Sequence, residues 1–338
     1  RYRATASSIR SGGMGGGASM PAQKQAYIVV ESSGRTISEA FRNFVHQVDR
    51  ELYLPDNQII VFGKEAAQKG IYPYLDFFIR TRQPRETNWI IVADGKAVDA
   101  IETRLGLEKI PAQEINQLIN NREMASQAGA ATIHDFAKRL AGKANASYTS
   151  FIQVRNDLGT RKIILAGTAV FKNDKYVGWL NKTETRGFLW AVNKVKRGII
   201  PVQSAALGMI DFGIIKANSK MEPEIHQGKI KMKLSIETVY GLTSELKIAD
   251  LSKPGMENSL DRLFQKAIRR EAHAAFRKAI RLNADIFGLG EAIHRKYPRE
   301  WQKIKPDWER FFLTARVQVQ IKTKFDSTGL ISGSVIAQ

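Results

Sequence analysis

Residues 167–190, GTAVFKNDKYVGWLNKTETRGFLW, contain two successive structural signals. The first is a hairpin, because two apolar segments flank Asn173-Asp174-Lys175 and an Asn-Asp pair favours a tight turn between strands. The two predicted strands are RKIILAGTAVFK (161–172) and KYVGWLN (175–181). The hairpin is therefore the starting point for the prediction of the fold.

The second half of the stretch predicts a helix. Asn181 is followed three residues later by Glu184, which is the spacing of a capping box. Apolar residues then recur at helical intervals: Phe188, Leu189 and Val192. We expect a helix over about 182–196, ended by Arg197-Gly198 and docked through its apolar side onto the adjoining sheet.

The chain before this stretch alternates strand and helix patterns. Strands are predicted at 25–32, 58–63 and 88–95, each followed by a helical pattern, the first of which begins with a Thr36/Glu39 capping box. Short apolar strands separated by helices indicate a buried parallel sheet. Residues 1–105 are interpreted as an α/β domain with a flexible loop at 4–23, Gly/Ser-rich between 11 and 19.

Two further domains are predicted. Residues 106–226 are interpreted as linker helices followed by a strand-rich domain that holds the hairpin and helix at 161–198. Residues 227–338 predict an α+β domain with a long amphipathic helix at 257–283. The whole chain is thus predicted as α+β, or mixed α/β, with three domains that are each a β-sheet with flanking helices.

The third predicted domain contains the clearest strand pattern. In GKIKMKLSIETV (228–239) apolar residues alternate with Lys229, Lys231 and Lys233, which predicts a strand with one buried and one basic, solvated face. ARVQVQIKTKF (315–325) repeats the alternation, so these two strands could pair in one sheet.

Composition narrows the possible partners. The net charge is +19, which attracts polyanions such as anionic lipid headgroups, acidic cell-wall polymers or nucleic acid. The alternative to polyanion binding is that the charge only makes the surface soluble. The sequence contains no zinc-finger, basic-zipper or RNP-type motif that would favour nucleic acid over the other polyanions. Cysteine is absent, which excludes disulfides and thiolate-bound metals.

Motifs for catalysis are weak. GLGEAI (288–293) lacks the third glycine and the preceding strand of a dinucleotide site, so it predicts a turn between helices. The five histidines have no metal-ligand spacing, and nucleophile elbows and Walker loops are missing. We expect no enzyme activity, catalytic residue, metal or cofactor. A deep pocket at the carboxyl ends of the 26–32, 58–63 and 89–93 strands would favour an enzyme instead.

Three blocks of this sequence resemble, in order and spacing, the Ger(x)C family, the C subunits of bacterial spore germinant receptors. The blocks are GTAVFKNDKYVGWLNKTETRGFLW, KMEPEIHQGKIKMKLSIETV and ADIFGLGEAIHRKYPREWQKIKPDWERFF. The segment GRTISEAFRNFVHQVDRELYLPDNQIIVFGKEAAQKGIYPYLDFFIR is similar to the first domain of the family.

The resemblance implies a non-enzymatic, membrane-attached lipoprotein. Such proteins face outward from the spore inner membrane and act with integral-membrane A and B subunits in nutrient-triggered germination. Family precursors begin with a signal peptide and a lipidated cysteine, so we expect this chain to be a truncated ectodomain without its anchor. The alternative is a soluble protein that binds nucleic acid or another polyanion.

Five residues are candidates for a partner or membrane interface: Trp179, Arg186, Lys229, Lys231 and Lys233. Trp179 and Arg186, which lie in the opening stretch, could contact a partner or could belong to the core. The three lysines would form the basic face of their strand. Charge attraction to an anionic leaflet or an acidic partner is the physical reason for choosing them.

Overall fold

The described part of the chain forms twelve strands and eleven α-helices. This is an α+β architecture, which confirms the predicted fold class. A computed structural model describes residues 2–9, 27–48, 54–81, 85–103, 110–157, 159–226, 229–245 and 255–326. Unit 1 comprises 1–120, 130–140 and 147–177, and unit 2 comprises 121–129, 141–146 and 178–338. Each unit is described by itself.

The strands are numbered in chain order. They are β1 (Tyr2–Ile9), β2 (Tyr27–Gly34), β3 (Ile59–Gly63), β4 (Trp89–Ala93), β5 (Ala131–Thr132), β6 (Ala146–Asp157), β7 (Thr160–Lys172), β8 (Lys175–Leu180), β9 (Gly198–Ser204), β10 (Gly208–His226), β11 (Lys229–Glu245) and β12 (Arg316–Phe325).

The α-helices are numbered in the same way. They are α1 (Ile37–Arg42), α2 (Lys64–Lys69), α3 (Tyr72–Thr81), α4 (Ala97–Glu102), α5 (Pro111–Asn120), α6 (Ile133–Leu140), α7 (Lys182–Ala191), α8 (Met256–Arg281), α9 (Leu289–Lys296), α10 (Pro298–Ile304) and α11 (Trp308–Thr314).

Unit 1 is built on one mixed sheet, in the order β3-β4-β6-β7-β8, with β5 on β4. β3, β4 and β6 run parallel, as their short apolar sequences predict. The core behind them includes Ile91, Ile115 and Ile152, all fully buried. The predicted buried parallel sheet is confirmed for the strands at 58–63 and 88–95. The prediction is wrong for the strand at 25–32, which is β2 and belongs to a separate antiparallel pair.

The N-terminal segment corrects one expectation. Residues 4–9, expected to be part of a flexible loop, belong to β1, which pairs antiparallel with β2 from Tyr2↔Gly34 to Ile9↔Tyr27. The apolar sequence of β2 supplies a strand edge that the polar β1 segment can join through backbone hydrogen bonds. The rest of the expected loop, 10–23, lies outside the described residues.

The predicted hairpin turn does more than reverse the chain. Asn173 takes a positive φ of 53°, as the tight turn between β7 and β8 requires. The Asp174 carboxylate accepts a hydrogen bond from the Tyr72 backbone N–H at 3.2 Å. The Asp174 backbone carbonyl accepts a second one from the Ile71 backbone N–H at 2.9 Å. The hairpin turn thereby caps the start of α3.

Unit 2 contains a four-stranded sheet in the order β12-β11-β10-β9. β11 is antiparallel to β10 and parallel to β12, with Leu234 opposite Val319. The predicted pairing of the two alternating segments is confirmed. The predicted helix 257–283 corresponds to α8 at Met256–Arg281.

α7 begins where predicted and ends early. The Asn181 and Glu184 side chains form the reciprocal capping box, each accepting from the backbone N–H of the other residue at 2.9 Å. Asn193 has φ 57°, and the Lys194 N–H donates to the Leu189 carbonyl at 2.9 Å. This Schellman closure ends the helix at Ala191 instead of near 196, because an asparagine in the left-handed region stops it.

The docking of α7 differs from the expectation. Its principal neighbour is α8, not the adjoining sheet. A Cβ on Gly187 would lie 2.0 Å from the Glu271 carbonyl oxygen, so only glycine permits this approach. The two helix backbones are therefore in direct contact at Gly187.

The GLGEAI segment is the predicted turn between helices. Gly288, at φ 73°, precedes α9, and the buried Asp285 carboxylate accepts from the backbone N–H groups of Leu289 at 2.9 Å and Gly290 at 2.7 Å. Burial raises the pKa of Asp285 to about 6, against the lowering effect of these backbone hydrogen bonds.

The predicted three-domain division, with boundaries at 105 and 226, remains a prediction. The mixed sheet of unit 1 combines strands from both sides of residue 105, and the sheet of unit 2 combines strands from both sides of residue 226. Backbone hydrogen bonds therefore cross both predicted boundaries.

Gly187→Ala is expected to destabilise the protein by about 3 kcal/mol or more, because the α7 and α8 backbones must separate. The gain in helix propensity, about 1 kcal/mol, is too small to offset this loss. Urea unfolding measures it. Gly241→Ala is the control, since its Cβ would make only ordinary contacts, at 3.4 Å and beyond. Equal stability of the two variants would contradict the close approach.

Asp285 predicts a pH dependence of stability. Because its pKa is raised in the folded state, the native protein holds a proton that the unfolded chain loses between about pH 4 and pH 6. The contribution of Asp285 to the free energy of unfolding should be fully present below pH 4 and lost as the pH rises through 6. Asp285→Asn should remove this slope in urea unfolding, while Asp307→Asn serves as the control. A slope unchanged by Asp285→Asn would refute the assignment.

Candidate partner interface

One face of the unit-2 sheet carries the charge that the sequence predicted. In β11 the side chains of Ile230, Met232, Leu234 and Ile236 are buried. Their strand neighbours point to the opposite side, because side chains alternate along a strand. The register carries this alternation into β10 and β12.

The outward-pointing side chains of these three strands form what we call the outer face. They are Lys216, Asn218, Lys220, Glu222, Glu224, Lys231, Lys233, Ser235, Glu237, Val239, Arg316, Gln318, Gln320, Lys322 and Lys324. All of them are exposed or half-buried.

The inner face is fixed to α8 by aromatic packing and buried polar contacts. The Tyr240 ring lies 4.4 Å from Phe264 and 5.4 Å from Phe212, centroid to centroid. The Asp261 carboxylate accepts from the Tyr240 hydroxyl at 3.0 Å and from Thr323 Oγ1 at 2.7 Å. Burial, followed by the bond to Asp261, raises the pKa of Tyr240, so its hydroxyl stays protonated. The inner face of the sheet is thus joined to α8 by ring packing and by buried hydrogen bonds.

Basic groups outnumber acidic ones on the outer face, with seven Lys or Arg against three Glu. Two of the acids already have partners: Lys220 lies 3.0 Å from Glu222, and Lys322 lies 3.7 Å from Glu237. The hydrogen bond from Lys220 lowers the pKa of Glu222, with help from the charges of Lys296 and Lys233. The surplus charge on this face is therefore positive.

Unpaired cations dominate the side of the outer face toward β12. Among the described residues, Lys231, Lys233, Arg316 and Lys324 have no carboxylate within 4.0 Å of their charged nitrogens. Such groups remain solvated and can attract an anionic partner. The arrangement can bind an anionic group or surface.

The candidate lysines fall partly within this face. Lys231 and Lys233 lie on it, side by side along β11. Lys229 pairs with His226 in the strand ladder, but its side chain lies outside the described residues. That these lysines contact a partner stays a prediction.

Trp179 is half-buried near the end of β8 and is followed by the buried Leu180. Its burial is intermediate between that of a core tryptophan, such as Trp190 at 1% exposure, and that of an exposed anchor. Its predicted role at an interface stays a prediction.

Arg186 is not available to a partner, so the expectation that it could lie at an interface is wrong. Its side chain is 4% exposed and that of Glu271 is 2% exposed. Arg186 Nε donates to Glu271 at 3.0 Å, Nη2 donates to Glu271 at 2.5 Å, and Nη1 donates to the Ile199 carbonyl at 2.9 Å. The guanidinium already makes its hydrogen bonds within the chain, because α7 directs it toward α8.

Sequence reasoning missed Glu271, which also accepts from Trp190 Nε1 at 3.2 Å. A signal was present: Glu271 lies seven residues after the buried Phe264 and four before the buried Ala275, on the apolar stripe of α8. An acidic residue on such a stripe indicates a buried cationic partner.

Exposed isoleucines at the β9 end of the sheet were also missed. Ile199 is 49% exposed and Ile215 is 51% exposed. Ile215 is an additional residue between Ile214 and Lys216, where the register against β11 shifts. No sequence pattern marked this bulge, because an apolar run looks the same with and without it.

In the part of the chain that the structure describes, no helix is long and apolar enough to cross a membrane. No group of three or more histidine, aspartate or glutamate side chains in that part of the chain could hold a metal ion.

Comparison with known proteins matches nearly the whole chain. A family model described as the spore germination protein N-terminal domain matches residues 1–154, and one described as spore germination B3/GerAC-like, C-terminal, matches 166–329. Spore germination protein KC of Bacillus subtilis (strain 168) is 26% identical, over 95% of this chain and 83% of its own length. Spore germination protein B3 of the same organism is 25% identical, over 91% of this chain and 83% of its own.

A solved structure has the same fold. The crystal structure of the GerBC protein matches with a TM-score of 0.62 at 20% identity, covering 88% of this chain and 85% of that one. The combination of helices and mixed sheets described above agrees with that fold.

Glu271→Gln is expected to cost about 3–5 kcal/mol of stability, because it leaves the Arg186 guanidinium buried without a countercharge. Glu237→Gln, which removes an exposed partner of Lys322, should cost about 1 kcal/mol or less. Chemical denaturation compares the two.

Adding Arg186→Met to Glu271→Gln should recover much of the loss, since no buried charge then remains. A Glu271→Gln variant as stable as the Glu237→Gln control would show that the pair does not hold α7 against α8.

Proposed function

The chain belongs to the GerAC-like family of spore germination proteins, and on that premise we propose that it is a non-enzymatic C subunit of a germinant receptor. The observation that carries the proposal is the ordered match of an N-terminal and a C-terminal family model, which together span residues 1–154 and 166–329. In this role the chain contributes surfaces for assembly, and its relatives are themselves named as germination proteins.

The proposed location is the outer side of the spore inner membrane, where a lipid anchor on the parent protein holds the chain. One acyl chain alone gives only marginal, reversible attachment, so a second attraction is required for stable residence. A net charge of +19 beside an anionic leaflet supplies such an attraction. The integral-membrane A and B subunits supply another.

The outer face is the proposed contact surface. It is held rigid by α8 on its inner side, its lysines are solvated, and its net charge is opposite to that of lipid headgroups or an acidic subunit. Lys231 and Lys233 are central to it. The proposal needs no ligand-binding cavity in this chain, because binding energy comes from charge and shape over a broad surface.

The test uses spores of a strain that lacks this chain and is complemented with wild type, with Lys231→Glu/Lys233→Glu, or with Lys266→Glu/Arg270→Glu. The control pair lies on the exposed side of α8 and changes the net charge equally. The first reversal should reduce co-purification with the A and B subunits about tenfold or more, because each lysine beside an anionic surface contributes about 1 kcal/mol. The germination response to nutrient should fall with it.

Two results would count against the proposal in different ways. Normal germination of the deletion strain in response to every germinant would refute the receptor role. Full assembly and germination with the Lys231→Glu/Lys233→Glu variant would leave the receptor role standing and would refute the outer face as the contact surface.

A further inference from the structure

The two edges of the unit-2 sheet are built differently. β9 forms one edge, has seven residues and contains Pro201 at its centre. Proline has no backbone N–H and prevents a further strand from pairing. β12 forms the other edge, has ten residues and contains neither proline nor glycine. The β9 edge is therefore closed to pairing, whereas the β12 edge has a regular backbone that can pair with another strand.

β12 has unsatisfied pairing capacity. Among the described residues it pairs only with β11, through the parallel register from Lys231↔Arg316 to Tyr240↔Phe325. In a strand with one neighbour, half of the backbone N–H and carbonyl groups point away from that neighbour. A long, straight edge of this kind is a template for another strand.

The inward side chains of β12 are incompletely covered. Val319 is buried, whereas Val317, Ile321 and Phe325 on the same side are only half-buried. Phe325 already contacts Tyr240, with ring centroids 5.4 Å apart. Apolar residues at alternate positions of an added strand would extend this layer and remove the remaining exposed apolar surface from water.

The outward side chains of β12 favour negative charge on an added strand. Arg316, Lys322 and Lys324 are cationic, and no acidic residue is present in the strand. Lys322 has Glu237 at 3.7 Å, while Arg316 and Lys324 have no carboxylate within 4.0 Å in the described part of the chain. The side chains opposite them on an added strand would be stabilised if acidic.

A second copy of this chain does not fit this edge. Antiparallel pairing of two β12 strands centred on Gln320 would place Arg316 opposite Lys324, and like charges directly opposite each other are destabilising. A partner of opposite charge is therefore favoured over self-association.

We infer that the free edge of β12 binds an extended segment of a partner protein in which acidic and apolar residues alternate, and that this segment adds a fifth strand to the sheet. Its acidic side chains lie over Arg316, Lys322 and Lys324, and its apolar side chains cover Val317, Ile321 and Phe325. The inference stands on the sheet alone, so it can fail while the receptor role holds, and the reverse is also true.

The probe is a fluorescent, end-blocked ten-residue peptide of alternating valine and glutamate, with the valine–lysine peptide as its charge-reversed control. Fluorescence anisotropy with the full chain measures binding, and amide hydrogen exchange of residues 316–325 reports strand pairing. We expect the glutamate peptide to bind and to slow exchange in β12. We expect the lysine peptide to do neither.

Matched variants separate edge pairing from general attraction. Arg316→Glu/Lys324→Glu should weaken binding of the glutamate peptide about tenfold or more, since two cross-strand ion pairs become repulsive. Lys266→Glu/Arg270→Glu changes the net charge equally but lies on the exposed side of α8, outside the outer face and the β12 edge. It should leave the affinity close to that of wild type.

Four outcomes would overturn the inference. The peptide could fail to bind, or it could bind without slowing exchange in β12. Slow exchange of every β12 amide in the peptide-free protein would mean that the edge is already occupied by the chain's own residues. Phosphatidylglycerol vesicles that bind through Arg316 and Lys324 while the peptide does not would assign the edge to lipid instead.

Discussion

The direct contact of two helix backbones at Gly187 is the constraint on which unit 2 depends. With no Cβ at this position, the α7 backbone reaches the Glu271 carbonyl, and Arg186 and Trp190 on either side of the glycine converge on the Glu271 carboxylate. Removing two charges from water is costly, so the pair is tolerated only because nearly every polar atom is satisfied. The Arg186–Glu271 pair and the close approach at Gly187 together join α7 to α8.

The same helix, α8, covers the inner face of the unit-2 sheet. α8 supplies the aromatic and polar contacts that hold the inner face, through Phe264 and Asp261. Most apolar side chains of β11 are buried on that side, and the opposite side of the sheet is mainly polar and charged. Under the proposed function, the chain contributes this charged surface to the assembly of a receptor.

Much of the fold follows from short-range patterns. The 2-residue alternation of β11 and β12, the capping box of α7 and the turn at Asn173 depend on neighbouring residues, so the sequence alone predicts them. Arg186 was misjudged because its partner lies 85 positions away, and no local pattern places a surface-type residue beside a distant glutamate. The early end of α7 depends on the left-handed conformation of Asn193, which an apolar periodicity does not reveal. The strand formed by residues 4–9 was missed because polar residues can join a sheet through their backbones alone.

The outer face and the β12 edge are the proposed contacts with the receptor partners. A photocrosslinking residue placed at Gln320, on β12, can be compared with one at Gln302, on the exposed side of α10, in native spore membranes. We expect crosslinks from position 320 to another receptor subunit and few or none from position 302. Crosslinks from 302 alone, with position 320 exposed to water in the assembled receptor, would contradict the proposal.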